Sequence, residues 1–356
     1  MRQLTFTGRR RLEWREVPAP TLRGAGEALV RPVAVARCDL DRIVLDGLGR
    51  DLAWGLRLGL VDPCLPLHIG ARLLRPPFPV GHECVAVVES CGPAVSTVRP
   101  GQRVVVPFQI SCGACPPCGR GLTGLCDAVP RGSMYGLGAD WGGALSDLLR
   151  VPFADAMLVP LPDGVDAAAV ASAADNIVDG YRLVAPHLQR QPGAEVLVSG
   201  GRIASIALFA AASAVALGAA RVVYVDEDEG RRALAARLGA EPLPRLPPGR
   251  FPIVVDASVD PRRLVQALAA TSPGGVCASA GIYFRKRTPL PLASLHFDGI
   301  TLLTSLCHSR PHLPAVLSLV ASGRLDPSLV TTRLADWEDA PAAFLDPSTK
   351  VVVVRR

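Results

Sequence analysis

Four cysteines carry the strongest chemical signal in the chain. Cys112, Cys115, Cys118 and Cys126 follow the spacing C-x2-C-x2-C-x7-C. Two-residue gaps let neighbouring thiolates turn onto one ion, and the longer gap closes the loop. Zn²⁺ takes four thiolates as a tetrahedron and then has no open position for substrate. Gly113, Pro116, Pro117, Gly119 and Gly121 suit a tight lobe without regular structure, where metal binding becomes folding energy. An iron–sulfur cluster also takes four thiolates, and a redox pair among unrelated thiols is the plainer alternative; the spacing favours structural zinc.

A second set is dispersed. Cys38 lies in Arg37-Cys38-Asp39-Leu40-Asp41, His82 in Gly81-His82-Glu83, and Asp175 in Ala174-Asp175-Asn176. Thiolate, imidazole and carboxylate make a three-ligand set that leaves the fourth place for water or substrate. Taken singly they read as an ordinary buried thiol, a satisfied histidine and an acid. Spacing alone does not show that they converge.

A third pattern concerns phosphate. Val196-Leu-Val-Ser199 runs into Gly200-Gly201-Arg202 and then an Ala-rich stretch. The dinucleotide fingerprint G-x-G-x-x-G uses glycines for tight turning, phosphate approach and helix packing. Here Gly200 and Gly201 remain, Arg202 stands where another glycine is usual, and Ala207 takes the last place. Asp226 ends the next strand, where a carboxylate accepts ribose hydroxyls and repels a 2′-phosphate. That favours NAD over NADP, although Arg202 and Arg231 are cations able to take phosphate.

These residues need two kinds of scaffold. The first 110 residues read as short strands punctuated by Gly and Pro, including 27–35, 84–89 and 102–107, as in a barrel-like β unit. Gly47–Pro79 has no clean period and reads as a long loop with one helical turn, inserted before the next strand. From about residue 160, strands alternate with helices. Strands fall at 195–199, 221–226, 251–256, 276–280 and 300–303, with helices at 203–220 and 231–238, as in a parallel sheet covered on both faces. A helix at 313–322 and a strand from Lys350 close the chain, the strand returning to the β-rich part.

Composition excludes several classes. The 356 residues are 49% hydrophobic and 20% charged, with mean hydropathy +0.30, unlike a disordered chain. The net charge of +6 is mild and Arg285-Lys286-Arg287 is as long as any basic run, so no nucleic-acid partner is expected. Residues 203–220 are apolar but Ala-rich, which reads as a buried helix and not a membrane span. No apolar leader opens the chain, and ten cysteines in this pattern fit metal ligation in a reducing compartment. The expected location is cytoplasmic. Lys286 and Lys350 are the sole lysines among 38 basic residues, which reads as a habit of composition.

The whole chain resembles the zinc-dependent medium-chain dehydrogenase/reductases, the alcohol dehydrogenase superfamily. The resemblance rests on Cys38-x-x-Asp41, Gly81-His82-Glu83, the four-cysteine lobe, Asp175 before Gly180-Tyr181, the Gly200–Gly201 turn and Asp226. An aspartate as third ligand is similar to the formaldehyde-, sorbitol- and threonine-dehydrogenase-like branches. The resemblance implies an α/β protein with a GroES-like β-barrel catalytic domain (1–157, completed by 310–356) and a Rossmann doubly wound parallel sheet (158–309). Catalysis would occur in the cleft between them.

By position it implies that Cys38, His82 and Asp175 hold catalytic zinc, with Glu83 beside it and Asp41 orienting the site. Two zinc ions per subunit and NAD would serve hydride transfer between NAD(H) and an alcohol or carbonyl. The apolar 299–304 segment implies a homodimer or homotetramer. One departure matters: Leu40 stands where relatives carry a Ser or Thr that passes the substrate proton. Asp39, Glu83, Asp179 and Tyr181 are the remaining relay candidates. The departure keeps open a reductase of an activated C=N or C=C bond, and the thin glycine turn keeps open a non-catalytic zinc- and NAD-binding protein. Phe108, Trp54, Trp141, Met134 and His308 are the candidate pocket residues, and His68 in the 47–79 stretch has no expected ligand role.

Overall fold

The computed structural model describes residues 1–66, 74–138 and 140–356. The chain divides into two compact units. The first comprises Met1–Asp175, His308–Ala321 and Thr331–Arg356, and the second Asn176–Cys307 and Ser322–Val330.

In the first unit, strand Ala28–Ala36 is central. It pairs antiparallel with Glu83–Cys91, Val351–Val354 and Leu149–Val151. Alternating Ala and Val place one side of this strand in the core, the period-2 pattern of a half-buried strand. The sheet runs in the order Arg333–Asp336, Val351–Val354, Ala28–Ala36, Glu83–Cys91, Arg103–Val106, Val159–Pro160. A separate three-stranded sheet joins Arg11–Glu16, Arg2–Gly8 and Phe78–Pro79. Among the described residues the larger sheet is open, because its two end strands have no pairing that would close the ring.

Register decides where chemistry gathers. Ala36 sits opposite Glu83 on one side and Val352 on the other. Cys38, two residues past Ala36, and His82, one residue before Glu83, therefore leave the same end of the sheet. A 3-10 turn, Ala171–Ala174, packs Ala171 against Ala34, Ala36 and Val352. Only small side chains allow that approach, and it delivers Asp175 to the same end.

The 47–79 stretch departs from expectation. Helix Asp39–Leu45 is followed closely by a ten-residue helix, Leu48–Arg57. Leu52 and Gly55 are buried while Trp54 is exposed. Glycines at 49 and 55 hid this helix from propensity. At Gly55 a Cβ would lie 2.4 Å from Val61 Cγ2, so packing selected glycine against propensity. His68 lies outside the described residues.

The second unit is a six-stranded, wholly parallel sheet. Its order is Glu241–Leu243, Val222–Val225, Val196–Ser199, Phe251–Asp256, Thr271–Ser279, Thr301–Thr304. The order reverses at Val196–Ser199, the switch point of a doubly wound fold. The strand expected at 276–280 begins earlier, as Thr271–Ser279, and takes in Gly274 and Gly275. Helix Ala204–Ala216 buries every residue except Val215. Its Ala and Ser surface admits helix Asn176–Arg182 so closely that a Cβ on Gly180 would sit 2.5 Å from the Ala210 nitrogen. Among the described residues no helix is long and apolar enough to cross a membrane.

Candidate metal centres and cofactor turn

The lobe at 112–126 brings its four sulfurs within 4.8 Å of one another. Backbone amides point at them. Cys115 N–H donates to Cys112 Sγ at 3.3 Å, Cys112 N–H to Cys126 Sγ at 3.4 Å, and Asp127 N–H to Cys115 Sγ at 3.4 Å. Amide donors favour thiolate over thiol. Those from Cys118 and Asp127 bring Cys115 down to about 6, whereas burial pushes Cys118 up to about 12. All ten cysteines are free of disulfides. Four soft donors around one point fit a closed zinc site.

Cys38, His82 and Asp175 are buried together, their ligand atoms also within 4.8 Å of one another. Cys38 is the N-cap of helix Asp39–Leu45. Its sulfur accepts from Leu40 N–H at 3.4 Å, and Asp41 Oδ2 accepts from Cys38 N–H at 3.0 Å. This is a capping box with sulfur in place of a hydroxyl oxygen. Burial, then the Asp175 charge, pushes the Cys38 thiol far up, so a thiolate there needs a cation nearby.

His82 Nε2 lies 3.4 Å from Asp175 Oδ2, and Nδ1 lies 3.3 Å from Asp41 Oδ1. The Nδ1 approach is close but poorly aligned, which leaves that nitrogen unsatisfied in the core. Burial opposes an imidazolium here, yet the Asp41 charge and the Asp175 contact lift His82 well above the usual histidine range. Burial likewise opposes ionisation of Asp175, and His82 outweighs it to bring that carboxyl below its ordinary value. A buried thiol, an imidazole with a carboxylate behind it and a second carboxylate fit zinc with an open position.

Glu83 Oε2 lies 2.5 Å from Lys350 Nζ, and both side chains are fully buried. Burial outweighs the ammonium and leaves Glu83 pushed up to about 7. Lys350 is the residue that composition concealed. Its signal was a lone lysine opening a run of four valines. Among the candidate pocket residues, Phe108 borders the trio, its ring centroid 5.5 Å from that of His82. Trp54 stacks under Arg57, Trp141 under Arg150, Met134 bridges Gln109, and His308 Nδ1 accepts from Gly124 N–H at 3.1 Å. The relay candidate Asp179 is held by Arg182 at 2.6 Å.

In the second unit the glycine turn and Asp226 are adjacent. A Cβ on Gly200 would sit 2.6 Å from Asp226 Oδ2, and one on Gly201 2.6 Å from Ser258 Cα. Asp226 is buried and accepts from Tyr224 Oη at 3.2 Å, Asp228 N–H at 3.0 Å and Arg231 Nη1 at 3.3 Å. Arg231 Nη1 also donates to Gly201 O at 2.6 Å. Arg202 is exposed, and its backbone N–H reaches Ser258 O at 3.3 Å. Ala207 is fully buried.

Comparison with known proteins identifies the family. The family model "Alcohol dehydrogenase GroES-like domain" matches residues 24–163, and "Zinc-binding dehydrogenase" matches 205–322. A protein of Mycobacterium tuberculosis named "Probable zinc-binding alcohol dehydrogenase" is 30% identical over 80% of this chain and 75% of its own length. The chain belongs to the zinc-binding alcohol dehydrogenase family. It is an oxidoreductase of that type, a zinc-binding dehydrogenase. The solved alcohol dehydrogenase from Thermus sp. ATN1 superposes with TM-score 0.85, 30% identity and full coverage of both chains. An L-threonine 3-dehydrogenase of Streptomyces coelicolor is 26% identical over 94% of this chain and 92% of its own.

Proposed function

We propose that Cys38, His82 and Asp175 hold a catalytic zinc, and that this enzyme moves hydride between NAD(H) and an alcohol or its carbonyl. The observation that carries the reading is the buried convergence of those three donors, backed by Asp41 behind His82. When bound, zinc supplies Lewis acidity towards an alcohol or carbonyl oxygen. The protein's own groups do the rest. The amides of the Asp39–Leu45 helix start stabilise a Cys38 thiolate. Asp41 faces both the Cys38 amide and His82 Nδ1 and so orients two ligands. Phe108 walls one side and excludes water. The four-cysteine lobe holds a second, structural zinc.

Gly200 and Gly201 give a pyrophosphate close approach to backbone, and Asp226 takes the ribose hydroxyls. Arg231 is already engaged by Asp226 and the Gly201 carbonyl, which supports NAD over NADP. Leu40 offers the site only its backbone N–H, so the substrate proton leaves by a route that does not use residue 40. The aspartate third ligand supports the branch that includes threonine and polyol dehydrogenases. The sheet's edge strand Thr301–Thr304 and exposed Leu292 and Phe297 support a homodimer, and ten free cysteines support a cytoplasmic protein. The catalytic domain spans 1–157 and 310–356 in this reading, and the Rossmann domain 158–309.

The experiment is a panel of aldehydes, ketones and polyols with NAD(H), run on zinc-loaded wild type and Cys38→Ala. Turnover of alcohols or carbonyls by wild type alone is expected. NADH binding without turnover across the panel would support the non-catalytic reading, and turnover confined to C=C or C=N substrates the reductase reading.

A further inference from the structure

We propose that Lys350 is a positioning residue that fixes the register between the segment bearing Cys38 and the segment bearing His82. The inference rests on the metal reading above and adds a residue to it. Lys350 Nζ donates to Glu83 Oε2 at 2.5 Å and to Arg37 O at 3.0 Å. Arg37 O belongs to the peptide that joins Arg37 to Cys38, and Glu83 directly follows His82. One ammonium thus grips the chain immediately before one ligand and immediately after another.

The rest of that peptide is held as well. Cys38 N–H is taken by Asp41 Oδ2 at 3.0 Å, and Arg37 N–H by Val351 O at 3.0 Å. The Arg37 guanidinium donates to the carbonyls of Phe344 at 3.2 Å, Asp346, and Ser348 at 2.5 Å. Segment 344–351 is therefore stitched to the residue preceding Cys38 through its backbone and through two cationic side chains. Strand register alone leaves such a loop free to shift, because Ala28–Ala36 ends before Arg37.

Fold stability does not explain the pair. Desolvating an ammonium and a carboxylate offsets most of their attraction, and apolar residues of similar volume often serve a core as well. The four residues that follow Lys350 are all valine. Setting a register is the best-attested use of a buried ion pair, and ligands must be held to within about 0.5 Å of working geometry.

The test separates positioning from simple neutralisation of Glu83. Wild type, Glu83→Gln, Lys350→Met and Lys350→Met/Glu83→Gln are loaded with zinc and, separately, cobalt(II). Zinc release to a chelator and the cobalt absorption bands are recorded. Retention of the four-cysteine zinc and a cooperative melt report folding. The double variant buries no lone charge, so it decides the matter even where Lys350→Met fails to fold. Release from the Cys38 site is expected to be about 10- to 100-fold faster in the double variant than in Glu83→Gln, the usual size for an outer-shell partner, with altered cobalt bands. Equal release and identical bands in those two variants would overturn the proposal. If wild type and Cys38→Ala hold the same amount of metal, the metal reading itself fails, which is a different result from failure of the Lys350 role alone.

Discussion

The two groups of metal-ligating side chains differ in how far apart along the chain their donors lie. Those of the lobe fall between residues 112 and 126, on a loop whose amides already point at the sulfurs. Those of the second group lie at 38, 82 and 175, and meet because three strands share a register and a small-residue turn packs beside them. The first group is partly exposed and chemically uniform. The second is buried, mixed in donor type and braced by carboxylates and an ammonium. A local site can organise its own surroundings, whereas a dispersed site needs the fold completed first. Metal removal should therefore act on stability at one centre and on activity at the other.

The largest expected effect sharpens that contrast. Cys115→Ser should remove the lobe's zinc and with it stabilisation on the order of 10 kcal/mol in small zinc domains, seen as a large fall in melting temperature. A variant that melts like wild type would break the comparison. Asp41→Asn should leave the melt nearly unchanged and lower kcat/KM or metal affinity by about 10- to 100-fold, because it touches both the Cys38 amide and His82. Equal losses of stability and activity would mean the two centres do not differ in kind.

Asp226→Ala should raise the KM for NAD by about 10- to 100-fold, the loss of one or two hydrogen bonds to a charged group at about 1.5–3 kcal/mol. Both metals should stay in place, and NADP should suffer less than NAD. The smallest effect is one of pH. At Asp155 burial opposes ionisation, but the N–H and O–H groups of Thr97 and Ser96 outweigh it and bring the carboxyl down to about 2. The folded value lies below the unfolded value of about 4. Its stabilisation is therefore present above about pH 4 and lost as pH falls towards 2. The melting difference between wild type and Asp155→Ala should be level from pH 7 to 5 and shrink below pH 4. A difference that grows on acidification would contradict this.

Much of this was legible before folding because its signals are local. The C-x2-C-x2-C-x7-C spacing, the apolar strand at 251–256 and the acid-ended strand at 226 each say what they are within a few residues. The Leu48–Arg57 helix was not, because packing demands glycine at positions where helix propensity rejects it. Lys350 was not, because its partners lie 267 and 313 residues away. The open form of the larger sheet depends on which strand ends pair, and no single strand records that. Convergence of Cys38, His82 and Asp175 belongs to the same class, being a consequence of register and of Ala at 34, 36 and 171.

The most direct test counts metal. Zinc per subunit is measured by elemental analysis on fully loaded wild type and Cys38→Ala, with NAD-linked turnover assayed on the same samples. Two zinc ions in wild type are expected, as the two donor groups require, falling to one in Cys38→Ala with turnover abolished and the melt retained. A single zinc in wild type, or undiminished zinc and turnover in Cys38→Ala, would contradict the catalytic centre at its root.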